Sequence, residues 1–217
     1  MASTMDCNLV KKALSEARMS TYEKAFPEIE KAIELYAWNA NVSAGFLAPL
    51  HICEVVIRNA VSDALASEYG EAWPWSEDFR ATLSEPGQGY SAKADLKKAA
   101  SKQRLTSKVI PELKFVFWQS MFKVSHNGRI WAKHLLTIFE NLPNDKDTRT
   151  LIKEIQNDLD KIRKLRNRIA HHEPIFNRDL ESEFKIIERL ISLRCDRTKV
   201  WMMSNQKVLS YIKNPIT

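Results

Sequence analysis

Glycine is scarce in this chain, five residues in 217, so few positions have the backbone freedom that phosphate-cradling loops require. No G-x-x-x-x-G-K-[ST] or G-x-G-x-x-G occurs, and the "GQG" at 87–89 reads as a turn. Nucleotide sites of the P-loop or dinucleotide type are thereby excluded. H-E-x-x-H is missing, and the "HHE" at 171–173 sets its histidines side by side, where they cannot both grip one metal from a helix face. G-x-S-x-G is missing too, which removes the usual acyl-transfer elbow. The cysteines, Cys7, Cys53 and Cys195, are widely spaced, with no C-x-x-C pair. That pattern fits a reducing compartment and argues against a zinc site or a disulfide framework. The expectation is a protein with no cofactor and no metal.

Long apolar runs are lacking as well. The longest resemble "AGFLAPL" at 44–50, well short of the ~20 residues that span a bilayer. The start, "MASTMDCNLVKKAL", has no basic region, apolar stretch and cleavage site of a secretory signal. A cytoplasmic protein with no membrane partner is expected.

What is present is the composition of a folded protein. A 44% apolar and 28% charged content places the chain among globular rather than disordered sequences, and its length suffices to bury a core. The net charge of +6 is unevenly placed. Residues 93–123, "KADLKKAASKQRLTSKVIPELKFVFWQSMFK", hold eight Lys/Arg against two Asp/Glu, an excess equal to that of the whole chain. Basic residues beside aromatics suit a phosphate-binding surface, with Lys97, Lys98 and Lys102 as candidate phosphate contacts. A solvated helix face that aids solubility is the alternative.

The periodicity is helical almost throughout. Phe46, Leu50, Cys53, Ile57, Ala60 and Ala64 form one stripe. Leu151, Ile155, Leu159, Ile162, Leu165 and Ile169 form a second, and Leu180, Phe184, Ile187 and Ile191 a third. Ser20 to Glu23 reads as a capping-box helix start, and Pro27 suits the first turn of the next helix. Turns are expected at 69–78, 84–92, 125–128 and 142–148. No segment alternates as a strand would, and no linker or repeat divides the chain. The prediction is an all-α fold with residues 1–217 in one domain.

The stretch with the densest chemistry is "KLRNRIAHHEPIF" at 164–176. Pro174 disfavours helical geometry at Glu173, so the helix that begins near Asp147 should end around His172. Arg166 and His171 are five residues apart, about 140° around the axis, so one helix alone does not aim both at a single small target. The residue types suit metal-free RNA cleavage. Histidine can move protons near neutral pH, arginine grips phosphate oxygens bidentately, and Asn167 could orient either group. The alternative is basic residues meeting the helix dipole and its last carbonyls, and composition alone favours that plainer role.

Arg166-Asn-Arg-Ile-Ala-His171 resembles the R-x4-H signature of the HEPN superfamily, with Asn directly after Arg. The wider "LRNRIAHHEPIFNR" resembles the Abi-like, abortive-infection branch, in which a doubled His follows "RN". Residues 22–75 resemble that branch's N-terminal half, with an E-x-x-[LI]-R element at Glu54 to Arg58, and "VIPELKFVFWQSMF" and "IWAKHLLTIFENLP" are similar to it too. The likeness spans residues 22 to about 178.

The resemblance implies a helical bundle, frequently dimeric, acting as a metal-independent ribonuclease in phage defence. It implies catalytic roles for Arg166 and His171, support from Asn167, and an R-x4-H element from each of two subunits facing one cleft. Glu54 and Arg58 could line that cleft, or form an ordinary i,i+4 ion pair. His172 could share the proton work or cap the helix, and capping is the reading preferred. The implied partners are RNA, a second copy of the chain, and an antitoxin or defence-system protein. Where related toxins carry a tyrosine two residues after the motif histidine, this chain has Glu173, which speaks against regulation by nucleotide transfer onto the motif. A non-catalytic RNA-binding or scaffold protein is the first rival, and a helical regulator binding a phosphorylated ligand the second.

Overall fold

A computed structural model of the chain describes residues 6–216, and its described residues are helical, with no strand. The all-α expectation holds. Three helices organise the core: α3 (Ile29–Tyr69), α9 (Thr148–Ala170) and α10 (Leu180–Arg194). Each buries the stripe read from its sequence. Phe46, Cys53, Ile57, Leu159, Leu165, Ile187 and Ile191 are fully enclosed, and a buried residue of this size stabilises by roughly 1.5–3 kcal/mol. The two later helices start where side chains satisfy orphan N–H groups. Asp147 accepts from the N–H of Thr150 at 3.1 Å, and Asp179 from that of Ser182 at 3.0 Å.

Helix α3 begins well before the stripe that identifies it. Leu35, Asn39 and Val42 continue its buried face toward the N-terminus, so one 41-residue helix runs through Pro49 despite the missing proline N–H. Helix α12 (Val208–Lys213) crosses it at Gly45, where a Cβ would lie 3.1 Å from the Val208 Cα. By length and a mean hydropathy of 1.5 over 18 residues, α3 could cross a membrane. No single apolar run reveals this, because Asn, Ser, His and Glu interrupt the sequence. In this fold the buried face of α3 packs against α9 and α10.

Two short helices, α1 (Cys7–Leu14) and α2 (Glu16–Glu23), lie over the first part of α3. They form a second apolar cluster around Met19, Tyr22 and Leu35, joined to the main core through Trp38. The predicted capping box fails here. Ser20 lies inside α2 with its hydroxyl donating to the Ala17 carbonyl, and Ser15 is the N-cap, accepting from the N–H of Arg18 at 3.3 Å. Burial of Met19 and Tyr22 in one face of α2 favours the earlier start. Pro27 precedes α3 rather than opening it, since Glu28 is the N-cap.

The middle of the chain is a set of short helices: α4 (Glu77–Thr82), α5 (Ala92–Ser101), α6 (Thr106–Val109), α7 (Phe115–Ser120) and α8 (Ala132–Ile138). The turn expected at 125–128 is instead a 3₁₀ turn leading into a π-helical turn over Asn127–Trp131. Burial of Trp131 drives this: its ring stacks on Phe122 at 4.6 Å and its indole N–H donates to the Met121 carbonyl at 2.7 Å. Helix α11 (Asp196–Asn205) packs on α10 and exposes Trp201.

Candidate active site

Helix α3 runs antiparallel to α9. Asn39 meets the residues after α9, Leu47 shares a cleft with Ile169 and Ala170, and Cys53 lies near Asp158. The last turn of α9 is therefore held against the N-terminal half of the longest helix, a rigid support for the motif.

The motif remains helical to its end. The N–H of His171 donates to the Asn167 carbonyl at 2.9 Å, an i→i−4 bond. The chain then closes in a Schellman arrangement. The N–H of His172 donates to the Ile169 carbonyl at 3.0 Å and that of Glu173 to the Arg168 carbonyl at 2.8 Å. This places His172, not a glycine, in the left-handed region at φ +55°, a conformation costing a side chain on the order of 1 kcal/mol. Two arginines secure the turn. Arg18 donates to the His172 carbonyl at 2.7 Å, and Arg168 Nε donates to the Pro174 carbonyl at 3.1 Å while pairing with Glu173 at 3.5 Å.

The cations of this turn divide into two kinds. Arg163 and Lys164 both pair with Asp160, and Arg168 is bound as above. Arg166 is exposed, and among the described residues it has no ion-pair or hydrogen-bond partner. The side chains of Asn167 and His171 likewise have none among the described residues, and His171 is exposed. The three motif side chains thus have no hydrogen-bonding role within the fold. Because the last turn does not unwind before His171, the divergence of about 140° stands, with roughly 9 Å between the Arg166 and His171 Cα atoms on ideal geometry.

Beside the motif is a cleft of about 350 Å³, with Tyr22, Tyr36 and Asn39 on one side and Ile169, Ala170 and His172 on the other. His172 therefore closes the helix through its backbone and also lines the cleft. Ala170 lies one turn beyond Arg166 on the same face of α9, so the arginine is one turn away from the cleft lining. Sequence reading missed Tyr22, Tyr36, Asn39 and Arg18. Asn39 carries a signal, since it is a polar residue at a buried position of the α3 stripe. Tyr22 and Arg18 come from a separate helix, and their nearness to residue 172 leaves no local pattern.

The other expected site residues are less tightly joined. Glu54 and Arg58 are half-buried on α3 and form no ion pair with each other. Arg58 Nε is buried without a hydrogen-bond partner. Neither residue contacts the cleft. Lys97, Lys98 and Lys102 are exposed on and just after α5, with no carboxylate partner among the described residues. Helix α5 packs on α6, α7 and the Trp73–Trp75 turn, one helix removed from α9. The aromatics expected beside these lysines, Phe115, Phe117, Trp118 and Phe122, are core residues instead, so this surface offers charge without stacking rings. His126 is enclosed and His134 binds Glu68 at 3.1 Å. No three His, Cys, Asp or Glu side chains among the described residues are grouped as metal ligands. No family model, curated protein or solved structure matches this chain.

Proposed function

We propose that this protein is a metal-independent endoribonuclease of the HEPN type, a toxin of the abortive-infection class. The observation that carries the reading is the freedom of Arg166, Asn167 and His171 at a firmly closed helix end, while the cations around them are bound internally. A folding role alone would not leave an arginine, an amide and an imidazole together without partners. The defence setting comes from the sequence resemblance.

In the proposed reaction a ribose 2′-hydroxyl loses its proton to an imidazole and attacks the adjacent phosphorus. The O2′–P bond forms, the P–O5′ bond breaks, and the departing 5′-oxygen takes a proton from a second acid. A 2′,3′-cyclic phosphate and a 5′-hydroxyl end result. Arg166 neutralises the added phosphate charge, His171 moves the proton, and Asn167 orients the phosphate or the ring. The roughly 140° divergence favours a two-fold dimer, in which Arg166 of one copy and His171 of the other serve one phosphate.

Arg166→Ala and His171→Ala each lower the cleavage rate by roughly 10²–10⁴-fold and leave melting within about 0.5 kcal/mol of wild type. Co-expressing the two inactive chains with different tags and isolating the heterodimer restores one intact site, up to about half of wild-type activity. A verified heterodimer with no activity contradicts the cross-chain site. Tight RNA binding without cleavage supports the non-catalytic RNA-binding reading instead.

A further inference from the structure

We infer that the cleft between α2, α3 and the end of α9 is a nucleobase pocket that selects a base presenting carbonyl acceptors, uracil or guanine, at the nucleotide beside the scissile phosphate. This deepens the ribonuclease reading and rests on it. The cleft's volume, about 350 Å³, lies at the lower end of the ~300–1,000 Å³ range of small-molecule sites. That is suited to one base and part of its sugar rather than to a large cofactor.

One wall is aromatic. Tyr22 and Tyr36 meet edge to face with ring centroids 5.0 Å apart, and Phe176 supports Tyr22 from behind at 5.3 Å. Tyr22 is enclosed and Tyr36 half-buried, so Tyr36 is the ring left to take the face of a base. Selectivity comes from the polar atoms. Asn39 is only 6% exposed. The Ile175 and Phe176 N–H groups reach it at 2.7 and 3.2 Å, and only its carbonyl oxygen can accept them, so Nδ2 must face elsewhere. Among the described residues Nδ2 has no acceptor, and Asn39 lines the cleft. Tyr22, 1% exposed, also lines the cleft, and its hydroxyl has no partner among the described residues. Burial pushes its pKa up to about 12, so the hydroxyl keeps its proton.

Two nearly buried donors thus face the cavity without acceptors. A donor left unpaired once a ligand covers it is costly, so a site built of donors rejects ligands that present further donors to it. On the edge that carries position 4 of a pyrimidine or N7 of a purine, uracil presents O4 and guanine O6 and N7, all acceptors, whereas cytosine and adenine place an exocyclic amine there. The Arg18 bond and the helix closure fix the wall at His172, so the pocket is formed in advance of binding. A base held here puts its phosphate near Arg166, one turn or about 6 Å along α9 from Ala170.

The test uses the whole protein and the four ribonucleoside 3′-monophosphates in titration calorimetry, beside a cleavage profile on random-sequence RNA. The wild type should bind the uridine and guanosine nucleotides about 10-fold more tightly than the other two, and cut beside those bases. Tyr22→Phe, which keeps the ring, should narrow that preference about 5-fold. Asn39→Asp, which keeps the oxygen for the loop and loses the donor, should narrow it further. Equal binding of all four, or a preference that neither variant changes, overturns the pocket, even if RNA is cut, and the ribonuclease reading then stands alone. A Tyr22-dependent base preference in a protein that does not cut RNA supports the pocket's chemistry and removes the ribonuclease reading.

Discussion

Asn39 on α3 accepts the backbone N–H groups of Ile175 and Phe176, at 2.7 and 3.2 Å, across 136 residues of sequence. One amide therefore sets where the chain goes after the motif. Ile175 enters the main core there and Phe176 enters the N-terminal cluster.

Removing that acceptor should be felt throughout the fold. Asn39→Ala leaves the enclosed Ile175 N–H and the part-buried Phe176 N–H unsatisfied, at a cost of about 1–3 kcal/mol. Urea unfolding should show a lower midpoint with an unchanged slope. A change below about 0.5 kcal/mol would mean that water replaces the amide.

At His172 the strain predicts the opposite sign. His172→Gly keeps the helix closure and removes the Cβ from the φ +55° position, so the variant should be about 0.5–1 kcal/mol more stable than wild type. His172→Ala keeps the strained backbone and should gain nothing. Equal melting temperatures for the two variants would show that the turn is relaxed.

His126 gives the fold an acid limb. Burial, with Lys123 and Arg129 nearby, lowers its pKa to about 4, against ~6.5 for the unfolded chain. Between those values the unfolded state binds the extra proton, so stability is full above pH 6.5 and falls as pH drops toward 4, by up to about 3 kcal/mol. Asp160 works in a lower window. Its pKa is held down to about 2, first by Lys164 and then by Arg163, so its contribution is lost only below the usual carboxylate range. His126→Gln should flatten the curve from pH 6.5 to 4, whereas a curve of unchanged shape would assign that limb to another group.

For Lys97, Lys98 and Lys102, replacement by Glu should weaken RNA binding and flatten its salt dependence if all three contact phosphates. An unchanged slope would return α5 to a solubility role, in keeping with the position of Lys98 and Lys102 at the helix C-terminus.

The helical framework was legible because burial follows spacing. Leu151, Ile155, Leu159, Ile162, Leu165 and Ile169 are all buried as their period requires. Asp147 and Pro174 likewise bracket α9 closely. What escaped depends on contacts distant in sequence. The start of α2 follows from burying Met19 and Tyr22, the π-turn from seating Trp131, and the cleft from bringing Tyr22 and Asn39 to His172. The motif was visible as residue types. Which arginine is free was not, because Arg166 and Arg168 look alike until Pro174 and Glu173 are placed beside one of them.

The most direct test of the central claim is the chemistry of the cut end. Purified wild-type protein is incubated with a single-stranded RNA in excess EDTA, and the fragments are analysed by mass spectrometry. The proposed function predicts cleavage that EDTA does not diminish, with 2′,3′-cyclic phosphate or 3′-phosphate ends and 5′-hydroxyl partners, lost in Arg166→Ala and His171→Ala. Cleavage that EDTA abolishes and a divalent ion restores, or 3′-hydroxyl ends, would contradict it.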